Sequence, residues 1–379
     1  MAEASVSRRR NPFEGLTIGA VLLEARAFLA LVVIFVVFSF LAPSAFPTLS
    51  NIIVMCQQVS VYAILAVGML IVILDGGIDL SVGSTLGLSG MVAGLALQGF
   101  PIAGVVLYPP VWVVVIVAVI TGALIGLING VLVARLNVAP FVATLGTMYV
   151  MRGLASLTTN GLTVNNLGGR EDLGNTGFEW LGFNALLGIP VGIWILVVVA
   201  IIASLLLNRS VYGRWLYAAG GNARAAELSG VPVRKVRVRA YVISGVCAAI
   251  AGVILTSELT SAGPTQGTSY ELTAIAAVVI GGAALSGGKG TVRGTLLGAF
   301  VIGFLAAGLT IVGISAYVQT VFTGAVIVLA VLLNGIQVRR RRRAKESAGS
   351  PPSGPAQHQT APGSQNGTEV PPAVKNKTV

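Results

Sequence analysis

Charge is scarce in this chain. Asp, Glu, Lys and Arg together make up only 10% of its 379 residues, where a soluble globular domain carries about 25%. That is too little to cover a surface facing water. Histidine is nearly absent: the single one, His358, falls in a Pro-, Gly- and Ser-rich C-terminal stretch. No His, Cys or carboxylate spacing suits a metal ion, and these absences argue against an enzyme. The two cysteines, Cys56 and Cys247, fall inside apolar runs. They read as buried thiols and not as a disulfide framework. A phosphate-binding loop is missing as well. The stretch Gly281–Thr291, GGAALSGGKGT, has Ala283 where a glycine is needed and Gly290 where Ser or Thr is needed. The expectation is a chain that binds no ATP and no other cofactor itself.

Ionisable groups are also lacking inside the hydrophobic runs. Asp75, Asp79, Arg152, Glu258 and Glu271 all fall near predicted run ends. A proton- or sodium-coupled carrier usually keeps such groups within its helices, so their absence weighs against a stand-alone secondary carrier. Broken helices that hold sodium with backbone carbonyls alone keep that alternative open.

What the chain has is hydrophobic length. Apolar residues make up 55% of it, and Ala27–Ala42, Ile52–Leu74, Val111–Val133 and Val191–Leu207 run without a charge. A membrane-spanning helix needs about 20 such residues, and runs of this length satisfy their backbone as helices, not barrel strands. The fold class is therefore all-α and polytopic, crossing the membrane about ten times. The spans fall near 27–42, 52–74, 80–98, 111–134, 140–158, 186–207, 239–258, 271–285, 294–312 and 317–335. The third and eighth are short and interrupted by glycine. The N-terminus imitates a signal peptide, but its apolar run exceeds a usual h-region and reads as an uncleaved first helix.

The net charge of +11 is placed as a topology signal, not as a nucleic-acid surface. Basic residues cluster at Arg8–Arg10, between Arg209 and Arg239, and at Arg339–Arg343. All three clusters fall on one side if both termini are cytoplasmic, as the positive-inside rule requires. The connection 159–185 on the other side holds Arg170, outweighed by Glu171, Asp172 and Glu179. Three regions follow: a cytoplasmic segment at 1–26, a transmembrane domain at 27–338, and a tail at 339–379. The tail is basic at first, then by composition disordered. Its arginines suit anionic lipid headgroups, and its two Asn-X-Thr triplets are chance matches on the cytoplasmic side.

Two stretches carry more information. Leu74–Gly90 reads LDGGIDLSVGSTLGLSG, with acidic residues and glycines breaking an apolar context. Gly76, Gly77, Asp79 and Ser81 form either a hinge lining a path, since irregular backbone at membrane depth needs protein or water around it, or a tight turn in which Asp79 caps the next helix. The other stretch, Tyr217–Tyr241, is a long loop on the cytoplasmic side. Asn222 is a good N-cap, Ala223–Ser229 favour helix, and Gly230 with Pro232 ends it. A helix of about two turns is marginal alone and needs a surface, its own protein's or a partner's. Ala225 and Ala226 offer close approach, Leu228 an apolar contact, and Arg224 with Glu227 polar ones. An ordinary positive-inside loop is the competing reading. There is also an internal echo: Gly76-Gly77, Gly83-Ser84 and Leu86-Gly87 align with Gly287-Gly288, Gly294-Thr295 and Leu297-Gly298. Paired glycine-interrupted segments mark repeat-built transporters, although small residues also serve plain helix packing.

Both stretches, with GGKGTVRGTLLGAFVIGFLAAGL at Gly287–Leu309, resemble the ribose-type sugar permeases of bacterial ATP-binding-cassette importers. The resemblance covers roughly residues 27–335, and GGIDLSVGS at Gly76–Ser84 is its most characteristic phrase; the basic run and tail lie outside it. It implies a permease in the bacterial inner membrane, working by alternating access on a small neutral sugar. The partners it implies are a second permease copy, an external sugar-binding protein and an ATPase subunit that hydrolyses ATP. The segment Gly220, Gly221, Asn222, Ala223, Arg224, Ala226, Glu227, Leu228 and Gly230 resembles the one that engages the ATPase. The related branched-chain amino-acid permeases share the architecture, so such a solute is the alternative cargo.

Overall fold

The computed structural model describes residues 26–102, 105–326 and 328. The basic clusters at 8–10 and 339–343 and the tail lie outside the described residues. Helices cover the hydrophobic segments: α1 Arg26–Leu41, α2 Leu49–Leu74, α3 Val82–Gln98, α4 Val111–Ala134 and α5 Pro140–Leu157. After a long connection holding the single-turn α6 (Trp180–Phe183) come α7 Val191–Arg209, α8 Val211–Gly221, α9 Ala223–Leu228 and α10 Val233–Glu258. The described part closes with α11 Tyr270–Ile280, α12 Val292–Ile311 and a helical stretch at 316–326. Among the described residues, strands are confined to three two-stranded antiparallel ribbons of two or three residues per strand. Five helices among the described residues (α2, α4, α7, α10 and α12) are long and apolar enough to cross a membrane. The glycines of α3 do not interrupt it, whereas α11 has only 11 residues, about 16 Å at 1.5 Å per residue.

Burial ranks these helices. The apolar window of α2 is 83% buried, while those of α4 and α7 are 28% buried. The outward faces of α4 and α7 carry Trp112, Ile116, Ile120 and Leu124, and Val198, Ile201, Ile202 and Leu205. In water such continuous apolar faces would drive aggregation; they are the composition that lipid solvates. The core is therefore α2, clasped by α10, α12, α11 and α7.

Lipid supplies no hydrophobic force between helices, so close packing must hold them together. The most extensive contact joins α4 to α10, and three glycines one helical turn apart make it. A Cβ added at Gly122 would overlap the Gly245 carbonyl oxygen, one at Gly126 the Tyr241 carbonyl oxygen, and one at Gly130 would lie 2.8 Å from Val238 Cα. Gly245 in turn faces the Gly122 carbonyl. Gly146 on α5 has nothing within 4 Å of the same position. Gly126→Ala is accordingly expected to lower the melting temperature of the detergent-solubilised chain, since overpacking costs ~1–3 kcal/mol. Gly146→Ala should raise it slightly, through a helix-propensity gain of ~0.5–1 kcal/mol. Equal shifts of the same sign would show that α4 is not held this way.

Candidate functional site

The glycine break after α2 is a closed turn. The Asp75 amide donates back to Val72 and Ile73 carbonyls, and Gly76 follows with φ +85°, a conformation that favours glycine. Asp79 reaches forward: its Oδ1 accepts from the Ser81 amide at 3.0 Å and the Ser81 hydroxyl at 2.6 Å. Its Oδ2 accepts from the Ser244 hydroxyl on α10 at 2.9 Å, and Asn129 Nδ2 on α4 donates to Ser81 Oγ at 2.8 Å. Asp79, Ser81, Asn129 and Ser244 are all buried. Gly77, Asp79 and Ser81 are buried, and the hydrogen bonds of Asp79 and Ser81 form a polar knot joining the start of α3 to α4 and α10. Asp75 makes a further tie, its Oδ2 accepting from Arg237 Nε on α10 at 2.6 Å. Burial pushes the Asp75 carboxyl up from the ordinary carboxylate range, and the Arg237 guanidinium opposes that shift.

The same end of the bundle carries α8 and α9. Ser210 Oγ caps α8 by accepting from the Gly213 amide at 3.0 Å, and Asn222 Oδ1 caps α9 from the Ala225 amide at 3.0 Å. Gly230, at φ +84°, ends α9. The sequence left open whether Ala226 approaches its own protein or a partner. The structure turns it inward, buried against Ala219 and Val233, because a six-residue helix must pack on its own protein to persist. The outward face holds Arg224 and Glu227, paired at 3.4 Å, and Leu228, 77% exposed.

Three backbones meet beneath α8 with no side chain between them. Gly220 is pressed against the Leu74 carbonyl, which a Cβ there would overlap, and that Cβ would also lie 2.7 Å from the Gly288 nitrogen. The Leu74 carbonyl accepts from the Gly288 amide at 2.9 Å. Gly287 and Gly288 adopt φ +87° and +72°, and a Cβ on Gly287 would lie 3.0 Å from the Gly76 nitrogen. The two glycine pairs of the sequence echo thus touch each other. Tyr217 on α8 donates to the Gly290 carbonyl at 2.8 Å, and burial pushes its phenol up.

At the opposite, Leu49 end of α2 lies a cavity of about 510 Å³, within the ~300–1,000 Å³ of small-ligand clefts. It is lined by Gln57, Gln58 and Tyr62 of α2, Glu258 of α10, Tyr270 of α11, Thr310 of α12 and Gln319. Sequence reasoning missed it. The only signals were two glutamines inside an apolar run and a carboxylate closing another.

The comparisons with known proteins fit this geometry. The family model for the branched-chain amino acid transport system permease component matches residues 51–331. The chain belongs to this permease family. The ribose import permease RbsC of Haemophilus influenzae is 44% identical over 323 residues, 85% of this chain and 96% of that protein. RbsC of Bacillus subtilis is 43% identical over 334 residues, 88% of this chain and 97% of that protein. The D-allose transport permease AlsC of Escherichia coli is 37% identical over 309 residues, 81% and 90% of the two chains. No solved structure matches. The expected resemblance to ribose-type permeases holds over most of the chain, and its relatives are transport components, not enzymes.

The backbone joint can be tested by hydrogen–deuterium exchange. Gly220→Ala should expose the Gly288 amide, so that the peptide spanning 284–290 exchanges faster while α4 stays protected. Gly221→Ala, with nothing within 4 Å of its added carbon, should leave that peptide unchanged. Wild-type protection in Gly220→Ala would show that the three backbones do not depend on one another.

Proposed function

We propose that this chain is the membrane-spanning subunit of an ATP-binding-cassette importer that moves a small neutral, ribose-like sugar across the bacterial inner membrane by alternating access. Its similarity to ribose import permeases over nearly their whole length carries the reading. The chain crosses the membrane about ten times with both termini in the cytoplasm. The turn at Asp75–Ser81, the α8–α9 segment and the 282–291 connection then face the cytoplasm, and the cavity opens in the outer half. The working assembly pairs this chain with a second copy, an external sugar-binding protein and an ATPase subunit. That subunit binds and hydrolyses the ATP, and this chain contributes no cofactor site. Lipid surrounds α4 and α7.

The physical argument for coupling starts at α9. An isolated, 77% exposed leucine on a short capped helix invites a protein partner, with Arg224 and Glu227 giving polar register. Motion of the ATPase pushes α8–α9, Gly220 bears on the Leu74 carbonyl, and α2 carries the displacement to its far end, where Gln57, Gln58 and Tyr62 line the cavity. Nucleotide drives transport only if it binds more tightly to one state of this assembly than to the other.

The test changes Leu228 and leaves the inward-facing Ala226 alone. Cells expressing Leu228→Asp with the partner subunits should insert the chain normally, co-purify several-fold less ATPase and lose D-ribose uptake. Unchanged ATPase association would remove α9 as the coupling element. Uptake of L-leucine in place of D-ribose by the wild type would replace the sugar reading with the branched-chain one.

A further inference from the structure

The cavity at the Leu49 end of α2 has a chemistry that can be read for its occupant. Its polar lining includes Gln57, Gln58, Tyr62, Glu258, Tyr270 and Gln319, with no Lys, Arg or His among the described residues that line it. Two of the carboxamides already direct their donors elsewhere. Gln57 Nε2 donates to the Gly182 carbonyl at 2.6 Å, and Gln319 Nε2 to the Ile314 carbonyl at 2.8 Å. Their amide oxygens remain as acceptors, beside a carboxylate that only accepts when ionised. Glu258 Oε1 is buried and has no hydrogen-bond partner among the described residues. An unpaired buried polar atom is costly, and this oxygen is open to a donor from a ligand. The rings of Tyr62 and Tyr270, with centroids 4.7 Å apart, add two hydroxyls and a flat apolar surface.

We propose that this cavity binds a neutral polyhydroxylated ligand, with Glu258 accepting a hydrogen bond from a ligand hydroxyl and the Tyr62–Tyr270 pair presenting an apolar face to its ring. The assignment rests on the sugar-import reading and adds the residues that touch the cargo. An acceptor-rich lining suits a ligand bearing several O–H donors. It gives no cation to pair with a phosphate or carboxylate, so sugar phosphates and free amino acids are disfavoured. The N-terminus of α11 would otherwise attract an anion, but Glu271 in its first turn places a negative charge there.

Saturation-transfer NMR on the purified full chain in lipid nanodiscs tests this with D-ribose, L-leucine and choline as probes. D-ribose should give signal with the wild type, and L-leucine and choline none. Glu258→Gln and, separately, Tyr62→Leu should each weaken D-ribose binding about tenfold, ~1.4 kcal/mol. Two variants on different helices, each checked for an unchanged melting temperature, separate lost contact from lost fold. Equal D-ribose binding by the wild type and both variants would overturn the cavity assignment while leaving sugar import standing. Binding of L-leucine alone would overturn both readings. Binding of choline without D-ribose would make this a cation site, and no signal from any probe would show that the cavity is not a binding site; either result overturns the proposal.

Discussion

The account depends on one close approach, that of Gly220 to the carbonyl of Leu74. A carbonyl at a helix C-terminus has no partner within the helix and must find one outside it. Here the Gly288 amide supplies it, and the arrangement is possible only because Gly220 brings no side chain to the meeting point. Three segments far apart in sequence are thereby locked backbone to backbone: the end of α2, the end of α8 and the turn before α12. Backbone contacts of this kind yield less than side-chain contacts, which can change rotamer. A push on α8 is therefore passed on with little loss, which suits the coupling role proposed for this end of the molecule.

Burial explains why α2 can act as the transmitting element. It is enclosed along most of its length, whereas α4 and α7 turn apolar faces outward. A helix packed on all sides moves as a unit or not at all, because protein interiors are close-packed and deform little. The polar knot of Asp79, Ser81, Asn129 and Ser244 fixes a second body, the α3–α4–α10 group. On the proposed mechanism the cavity opens and closes as α2 shifts against that group. The Asp75–Arg237 pair is a polar contact between the two that such a shift must strain.

Much of this was legible in the sequence, for reasons that differ by element. Long lipid-facing helices such as α4 and α7 announce themselves by hydropathy alone. The short α9 could be placed from Asn222 and Gly230, whose capping chemistry is local. The start of α10 could not: hydropathy puts it near 239, yet the helix begins at Val233. Its first turns carry Arg234, Lys235 and Arg237, which a hydrophobicity argument reads as loop. The inward turn of Ala226 was also invisible, since a two-turn helix of small residues has no face that periodicity can mark. The glycine echo was visible as a pattern, but contact between Gly76 and Gly287 is a tertiary fact. The cavity was least readable. Gln57, Glu258 and Gln319 lie far apart along the chain, and each alone looks like an ordinary polar residue near a helix end.

The most direct measurement of the central claim is a set of distances by double electron–electron resonance in the complete transporter. Spin labels at Ser229 beside α9 and Val54 on α2 report whether the joint moves as one body, and labels at Val54 and Ile120 on α4 report whether α2 shifts against its neighbours. The account predicts that a non-hydrolysable ATP analogue changes the Val54–Ile120 distance while the Ser229–Val54 distance stays constant. A changed Ser229–Val54 distance with Val54–Ile120 fixed would contradict it, because α2 would then not follow the coupling segment.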